Sequence, residues 1–421
     1  MSLLARLADQ FPASPARVRL KAALLYAGVR YHESLAEAAD WAFPNYMPYI
    51  LPPGVAAFRG QRKVNLPYLV RMADDTQVRL RVKPDSPFEI RPDGSPLGFG
   101  LFYGPDQTLL TSLTFEPRLA WVDALTGDGT PMRHTGLSQH GEMLVLNIAP
   151  GCEYFVVPEG EKTRNLSCSF CLYGLPDKRL DSLGQRLYEA GLPPATVKRV
   201  VEACAHPDTR ATQLYLVGGS MLDMAKEGER YVQIARALKD VGLTDRYYVA
   251  AGSGALERKH MEELKDLGVR GACFNMEVWD AAQFARVCPG KDQIVGRQRW
   301  IDSLEEAVDV FGKANVMTAF VGGVELDGEG AMTDARRALE SNLEAAEYFI
   351  PRGVQTIYSL HWKVTGKDRG QEPVYSLDLF LELNERLAAI RKRENRLINP
   401  AFFSRRSAYM QLEPDYDEEP A

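Results

Sequence analysis

Three cysteines stand close together in a chain of 421 residues. Cys152 is followed by fifteen residues and then by Cys168 and Cys171, the Cys-x2-Cys pair of "RNLSCSFC". The chain holds six cysteines, unevenly spaced and too few for a disulfide framework at this length. A reducing, cytoplasmic setting is therefore expected, where a close pair serves metal or redox chemistry. Thiolates bind zinc and iron–sulfur clusters. Taken alone, Cys168 and Cys171 fit half of a zinc knuckle, or chance, as well as a cluster. With Cys152 added, three thiolates on a four-iron cluster would leave one iron open. The intervening "PEGEKT" is rich in turn formers and charge and reads as a surface insertion.

Other residues with chemical potential follow at intervals. Gly218, Gly219 and Ser220 close "LYLVGGS", where two glycines admit a ligand close to the backbone or simply make a tight turn. In "ACFNMEVWD", alternation puts Cys273, Asn275 and Glu277 on one face. Glu277 suits either the two hydroxyls of a ribose or a salt bridge, and the deeper Cys273 reads as core. Cys204 in "VVEACAH" also reads as core, whereas Cys288 in "VCPGK" precedes a turn. Arg297 offers a planar fork for a carboxylate, or is a surface charge. "AFVGGVE" repeats the glycine pair at Gly322 and Gly323 and adds Glu325, and "IYSLHW" brings Tyr358 and His361. Ser404 and Ser407 in "FSRRSAYM" have the spacing of a Cys-x2-Cys pair.

These motifs fall at the ends of candidate strands. "MLVLNIA" (143–149), "TQLYLVG" (212–218), "RYYVAAG" (246–252), "GACFNMEV" (271–278), "VMTAFVG" (316–322) and "VQTIYSLHW" (354–362) alternate with helical patterns such as "RYVQIARALKDVG" and "ARRALESNLEAAEYF". Strand–helix alternation predicts a parallel sheet in an α/β fold, a partial (β/α)6 TIM-type barrel. In such barrels the site lies at the C-terminal strand ends. Residues 1–142 read as an N-terminal module. It is helical at first ("VRLKAALLYAG", "ESLAEAADWAF") and β-rich from 46 to 142. Residues 143–365 form the barrel, and 366–421 a C-terminal helical extension with an acidic end, "EPDYDEE". With 45% apolar and 25% charged residues the chain has ordinary globular composition. A net charge of −6 argues against nucleic acid or anionic membrane as a partner. No apolar run approaches the roughly 18 residues of a membrane span, and the N-terminal stretch, with Arg and Asp among its apolar residues, reads as native structure rather than a signal.

Taken in order, the cysteine loop, "VGGS", "NMEVWD", "CPGK…GRQRW" and "FVGGVE" resemble the radical S-adenosylmethionine (SAM) superfamily over about residues 143–365. The family's compact run is CxxxCxxC, and Arg164 stands here where its first cysteine would be. The resemblance makes Cys152 that ligand, with Cys288 as the alternative. It implies that Cys152, Cys168 and Cys171 hold a 4Fe–4S cluster and that Phe170 packs near the adenine of SAM. Gly218, Gly219 and Ser220 would meet the SAM amino group, Ser220 replacing the family's Glu. Asn275 and Glu277 would meet the ribose, Arg297 the carboxylate, and Gly322 and Gly323 would lie beside the adenine. An external one-electron donor of flavodoxin or ferredoxin type would reduce the cluster. The resulting 5′-deoxyadenosyl radical would take hydrogen from a small-molecule or peptide substrate, in an oxygen-sensitive enzyme. Glu325, Tyr358 and His361 are candidates to hold or protonate that substrate, as is the loop 153–167. Two other readings stand beside this one: a zinc-dependent TIM-like hydrolase using Cys168 and Cys171, and a degenerate SAM-binding scaffold without catalysis.

Overall fold

The computed structural model describes residues 2–32, 56–58, 62–64, 69–81, 83–94, 98–115, 119–149, 151–171, 193–206, 211–365 and 370–417. The expected helix "ESLAEAADWAF" lies outside these residues. The chain opens with helices α1 (Leu3–Gln10) and α2 (Ala16–Ala27). Eight short strands follow: β1 (Arg30–Tyr31), β2 (Ala56–Phe58), β3 (Arg62–Val64), β4 (Leu69–Met72), β5 (Gln77–Arg79), β6 (Phe88–Pro92), β7 (Phe99–Tyr103) and β8 (Thr108–Phe115). Six of them make a sheet in the order β1-β6-β7-β8-β4-β5, while β2 and β3 pair by themselves. Among the described residues, the N-terminal region thus carries two helices followed by short strands.

The second large sheet carries the rest. It begins with an antiparallel pair, β9 (Leu137–His140) and β10 (Met143–Ala149), so it takes in residues ahead of position 143. After a small hairpin, β11 (Val157–Glu159) and β12 (Lys162–Arg164), comes α3 (Pro194–Ala205). Then β13 (Gln213–Gly218), α4 (Met224–Asp240), the short α5 (Leu243–Arg246), β14 (Tyr248–Gly252), α6 (Arg258–Asp266) and β15 (Val269–Cys273) succeed one another. Helices α7 (Ala281–Val287) and α8 (Arg297–Phe311) precede β16 (Val316–Gly322), and α9 (Ala335–Arg352) precedes β17 (Val354–Leu360). The order β17-β16-β15-β14-β13-β10-β9 places six parallel strands side by side in chain order. Each pair is joined through helix, as parallel pairing requires. β10 is buried along its whole length, which explains why "MLVLNIA" runs apolar without alternating. Local signals set the helix ends. Asp223 caps α4 by accepting from the N–H groups of Ala225 and Lys226, and Gly353, at φ +96°, ends α9.

One strand is shorter than its sequence suggests. The expected strand over 271–278 stops at Cys273, and Glu277 rejoins the sheet as a single bridge to Phe320. Between them the Thr318 hydroxyl replaces the ladder: it accepts from the Met276 N–H (3.0 Å) and donates to the Phe274 carbonyl (2.9 Å).

The sheet buries both faces. Leu144, Leu146, Leu214, Leu216, Val249 and Val316 belong to the core shared with the helices. Met143, Val145, Tyr248, Cys273, Met317 and Ile357 pack instead against Ile398, Phe402, Phe403 and Ala408 from the C-terminal extension. That extension comprises the hairpin β18 (Trp362–Thr365) with β19 (Gly370–Pro373), helix α10 (Leu377–Arg393), the segment from 394 to 412, and α11 (Glu413–Asp417). The segment also ties the two sheets together: the Arg79 N–H donates to the Tyr409 carbonyl (2.8 Å) and the Gln77 N–H to that of Arg405 (3.3 Å). No helix among the described residues is long and apolar enough to cross a membrane.

Candidate active site

The cysteine loop leaves β10 and is seated at once on the end of β13. The Gly219 N–H donates to the Ala149 carbonyl, and the Glu153 N–H to that of Ser220, both at 2.9 Å. A Cβ on Gly219 would lie 2.0 Å from the Gly151 carbonyl oxygen. The close approach that "VGGS" permits is thus made, at Gly219, by the backbone of the cysteine loop itself. Gly218 sits against Ala149 and Tyr231. Two carboxylates brace the turn: Glu153 accepts from the Leu222 N–H (2.7 Å), and Glu227 accepts from those of Met221 (2.9 Å) and Gly254 (2.6 Å).

The insertion folds as a turn over 153–156 and the exposed hairpin β11–β12. The Leu166 N–H then closes on the Tyr154 carbonyl at 2.7 Å, so the loop returns to its origin and delivers Cys168 and Cys171 near Cys152. Arg164, at the position where the compact motif would have a cysteine, reaches Gln293 at 2.7 Å. The returning chain docks on the "VCPGK" turn. The Ser169 N–H donates to the Val287 carbonyl and the Gly290 N–H to that of Leu166, both at 2.8 Å. A Cβ on Gly290 would stand 2.6 Å from the Tyr154 ring, so this docking too requires a glycine.

None of the six cysteines is in a disulfide. Burial pushes the Cys152 thiol up to about 12, and the nearby Cys171 and Cys168 add to the rise. A hydrogen bond with Cys288 holds Cys168 below the ordinary thiol range, and the positive charge of Lys291 works in the same direction against burial. Cys288 is fully buried and its thiol is raised, by burial first and by Cys168 second. Cys273 lies in the core as expected, its thiol donating to Asn275 Oδ1 at 3.1 Å.

Glu277 is held under backbone strain. Its φ of +71° is rare for a side chain of this size, and it is fixed by bonds from its own N–H to the Ala319 carbonyl (2.9 Å) and from the Val321 N–H to its carbonyl (3.0 Å). Oε1 of Glu277 accepts from Lys291 Nζ at 3.0 Å, and the same ammonium donates to the Asn275 carbonyl. Lys291 also lies over the Trp300 ring, 4.5 Å from its centroid. Sequence reasoning passed over Lys291, and its one signal was its place two residues beyond Pro289 in the turn that begins with Cys288.

The remaining candidates separate. Phe170 is half-buried against the main core. The Arg297 fork, expected to face a carboxylate, closes through Nε and Nη2 on the Trp279 carbonyl (3.1 and 2.7 Å) and stacks over the Trp279 ring. Tyr375 covers Gly322 and Gly323 at contact distance. Glu325 is buried, accepts from Asn342 Nδ2 at 2.8 Å, and is pushed up to about 7 by burial. Tyr358 points into the helix-facing core, stacked on Phe320 and donating to the Asn342 carbonyl at 2.5 Å, so its role is packing rather than contact at the mouth. His361 Nε2 lies 3.0 Å from Asp327 Oδ2, and Lys363 reaches the other oxygen at 3.2 Å. These three stand where β16 and β17 end.

Among the described residues, no group of three or more His, Cys, Asp or Glu side chains converges as the ligands of a single ion must. A cubane cluster asks for something else, since each thiolate binds a different iron and the ligands ring a volume instead of meeting at a point. Cys152 has Cys168 and Cys171 within electrostatic reach, brought there by a loop that closes on itself, and three thiols are the donor type such a cluster takes. Compared with known proteins, the chain is 21% identical over 364 residues to the bacteriochlorophyllide c C-7(1)-hydroxylase of Chlorobaculum limnaeum, a match covering 82% of each. It is also similar to the solved structure of methylornithine synthase, with a TM-score of 0.34 and 12% identity over 64% of this chain and 67% of that one. No family model matches.

Proposed function

We propose that the chain is a radical SAM enzyme built on a partial (β/α)6 TIM-type barrel, acting on a small organic molecule or a peptide. The observation that carries this reading is the closure of the insertion on Tyr154, which returns Cys168 and Cys171 to Cys152 on the same side of the sheet as Glu277. The likeness to a hydroxylase along most of the chain supports an enzyme. Cys152, Cys168 and Cys171 would hold the cluster. Bound together, cluster and SAM would supply reductive cleavage and radical hydrogen-abstraction chemistry toward the substrate. The protein's share is binding, orientation and exclusion of competing reactions. The backbone at Gly218–Ser220 would accept the SAM amino group, Asn275 and Glu277 the ribose, and Gly322–Gly323 with Phe170 would flank the adenine. Arg297 keeps Trp279 and the turn beyond Glu277 in place. His361, whose Nε2 lies 3.0 Å from Asp327 Oδ2, would hold or protonate substrate at the mouth. The electron would come from an external flavodoxin- or ferredoxin-type donor in the cytoplasm.

The test is an electron paramagnetic resonance spectrum of anaerobically reconstituted, dithionite-reduced protein, with and without SAM, for the wild type and Cys152→Ala. A reduced-cluster signal that SAM perturbs and that Cys152→Ala abolishes is expected. A wild type without a signal sinks the proposal, and a signal unchanged in Cys152→Ala moves the third ligand to Cys288.

A further inference from the structure

Lysine is almost never fully buried unless it is paired, because removing an ammonium from water is costly. Lys291 is 7% exposed, and three contacts compensate it: Glu277 Oε1, the Asn275 carbonyl and the face of Trp300. The pair it forms with Glu277 is not a simple brace between two secondary-structure elements. One partner is the only non-glycine residue with positive φ in the parallel sheet's half of the described chain before residue 395. The other belongs to a turn locked onto the cysteine loop by the Ser169–Val287 and Gly290–Leu166 backbone bonds. Lys291 takes Oε1 of Glu277 at 3.0 Å. The Gly290–Leu166 and Ser169–Val287 backbone bonds bring the Lys291 turn against the cysteine loop, with Cys168, Cys288 and the buried Glu227 within electrostatic reach of the ammonium.

We propose that Lys291 is a positioning residue of this site, holding the Glu277 carboxylate for a ribose and setting a fixed positive charge against the cysteine sulfurs. The inference rests on the radical SAM reading and goes beyond it by giving one side chain two linked tasks. Pairing offsets the charge of a largely enclosed carboxylate, whose side chain is 13% exposed, and holds it in place for ribose hydroxyls. A cluster on three thiolates gains negative charge on reduction, so a nearby cation favours the reduced state; net charge and surrounding hydrogen bonds set such potentials. Groups that orient a metal site from outside its ligands usually matter by 10–100-fold in affinity or activity.

The experiment is a reductive titration of the reconstituted full-length protein, followed by electron paramagnetic resonance. It would be run with and without SAM on the wild type, Lys291→Met, Lys291→Arg, Glu277→Gln and the double variant Lys291→Met/Glu277→Gln. Lys291→Met is expected to take up the cluster but to reduce at a lower midpoint potential and to bind SAM at least about tenfold more weakly. Lys291→Arg should recover most of both. The double variant leaves no charge unpaired and so keeps the test open if Lys291→Met fails to fold; its midpoint should lie below that of Glu277→Gln. Wild-type potential and SAM affinity in Lys291→Met, or a double variant matching Glu277→Gln, overturns the proposal while the radical SAM reading stands. Wild-type protein that takes up no cluster overturns both.

Discussion

At their N-terminal ends the parallel strands are closed by the C-terminal segment, through apolar packing and side-chain hydrogen bonds to its backbone. Phe402 stacks on Tyr248 with centroids 5.5 Å apart, Gln213 Nε2 donates to the Pro400 carbonyl, Gln355 Nε2 to that of Arg396, and Asn399 joins Asn315. At their C-terminal ends the same strands lead into two glycine-dependent dockings, a strained glutamate, a buried lysine and cysteines outside any disulfide. One end is packed for stability, whereas the other holds groups whose burial costs free energy unless they do something. Buried charge alone does not mark the difference. Lys21 pairs with Asp415, and Arg391 with Asp417, all deeply buried, yet these pairs fasten α2, α10 and α11 together and face no reactive side chain. What distinguishes the mouth is buried charge beside thiols.

The largest test of this contrast is at the closed end. Phe402→Ala should cost about 3–5 kcal/mol of stability, as deletion of a buried aromatic ring does. The cluster spectrum of the protein that remains folded should be unchanged. Chemical denaturation and electron paramagnetic resonance check the two halves, and a cluster lost along with stability would break the division. At the mouth the expected balance is reversed. Gly219→Ala should cost about 1–3 kcal/mol as an overpacking change, yet reduce iron uptake severely, because the added methyl meets the Gly151 carbonyl and displaces Cys152. Iron analysis of reconstituted protein decides it, and full uptake would show that the seat on β13 is dispensable.

The third prediction concerns Glu413, whose Oε1 accepts from the Tyr358 N–H at 2.6 Å. Burial raises this carboxyl from 4.5 to about 7. A raised folded-state value means the native protein holds the proton longer than the unfolded chain. Its contribution is therefore fully present below pH 4.5 and lost as pH climbs to about 7. Glu413→Gln removes that loss, and should leave the variant on the order of 2–3 kcal/mol better placed relative to wild type at pH 7.5 than at pH 4.5. The buried Glu325, shifted the same way, supplies part of the slope that remains. Unfolding at the two pH values measures it, and equal differences at both would remove Glu413 as a titrating group. Cluster potential should not change, because Glu413 belongs to the extension.

The alternation of strand and helix, the six parallel strands, the helix-ending glycines and the cysteine spacing were legible because each depends on residues near one another in the chain. Glu277 was singled out by alternation from Cys273, but the strand ends at Cys273 and Glu277 rejoins the sheet only as a single bridge with positive φ. Tyr358 was misread for a related reason. On a strand buried on both faces, composition does not say which face is the mouth, and only the packing of Phe320 and Asn342 settles it. The segment carrying Ile398, Phe402 and Phe403 shows no period, so nothing local announced that it would fill the inside of the sheet. Lys291 was equally silent, since a lysine in a turn reads as solvated until the ring and carboxylate that enclose it are known.

By itself, then, the sequence determined the elements, their order and the identity of the thiols, because periodicity, capping and residue chemistry act over a few positions. Tertiary structure alone decided that the loop after Cys152 closes on Tyr154, that Gly219 serves as its seat, and that Lys291 pairs with Glu277. Those are contacts between segments far apart in the chain, and their energies come from burial, which no local pattern encodes.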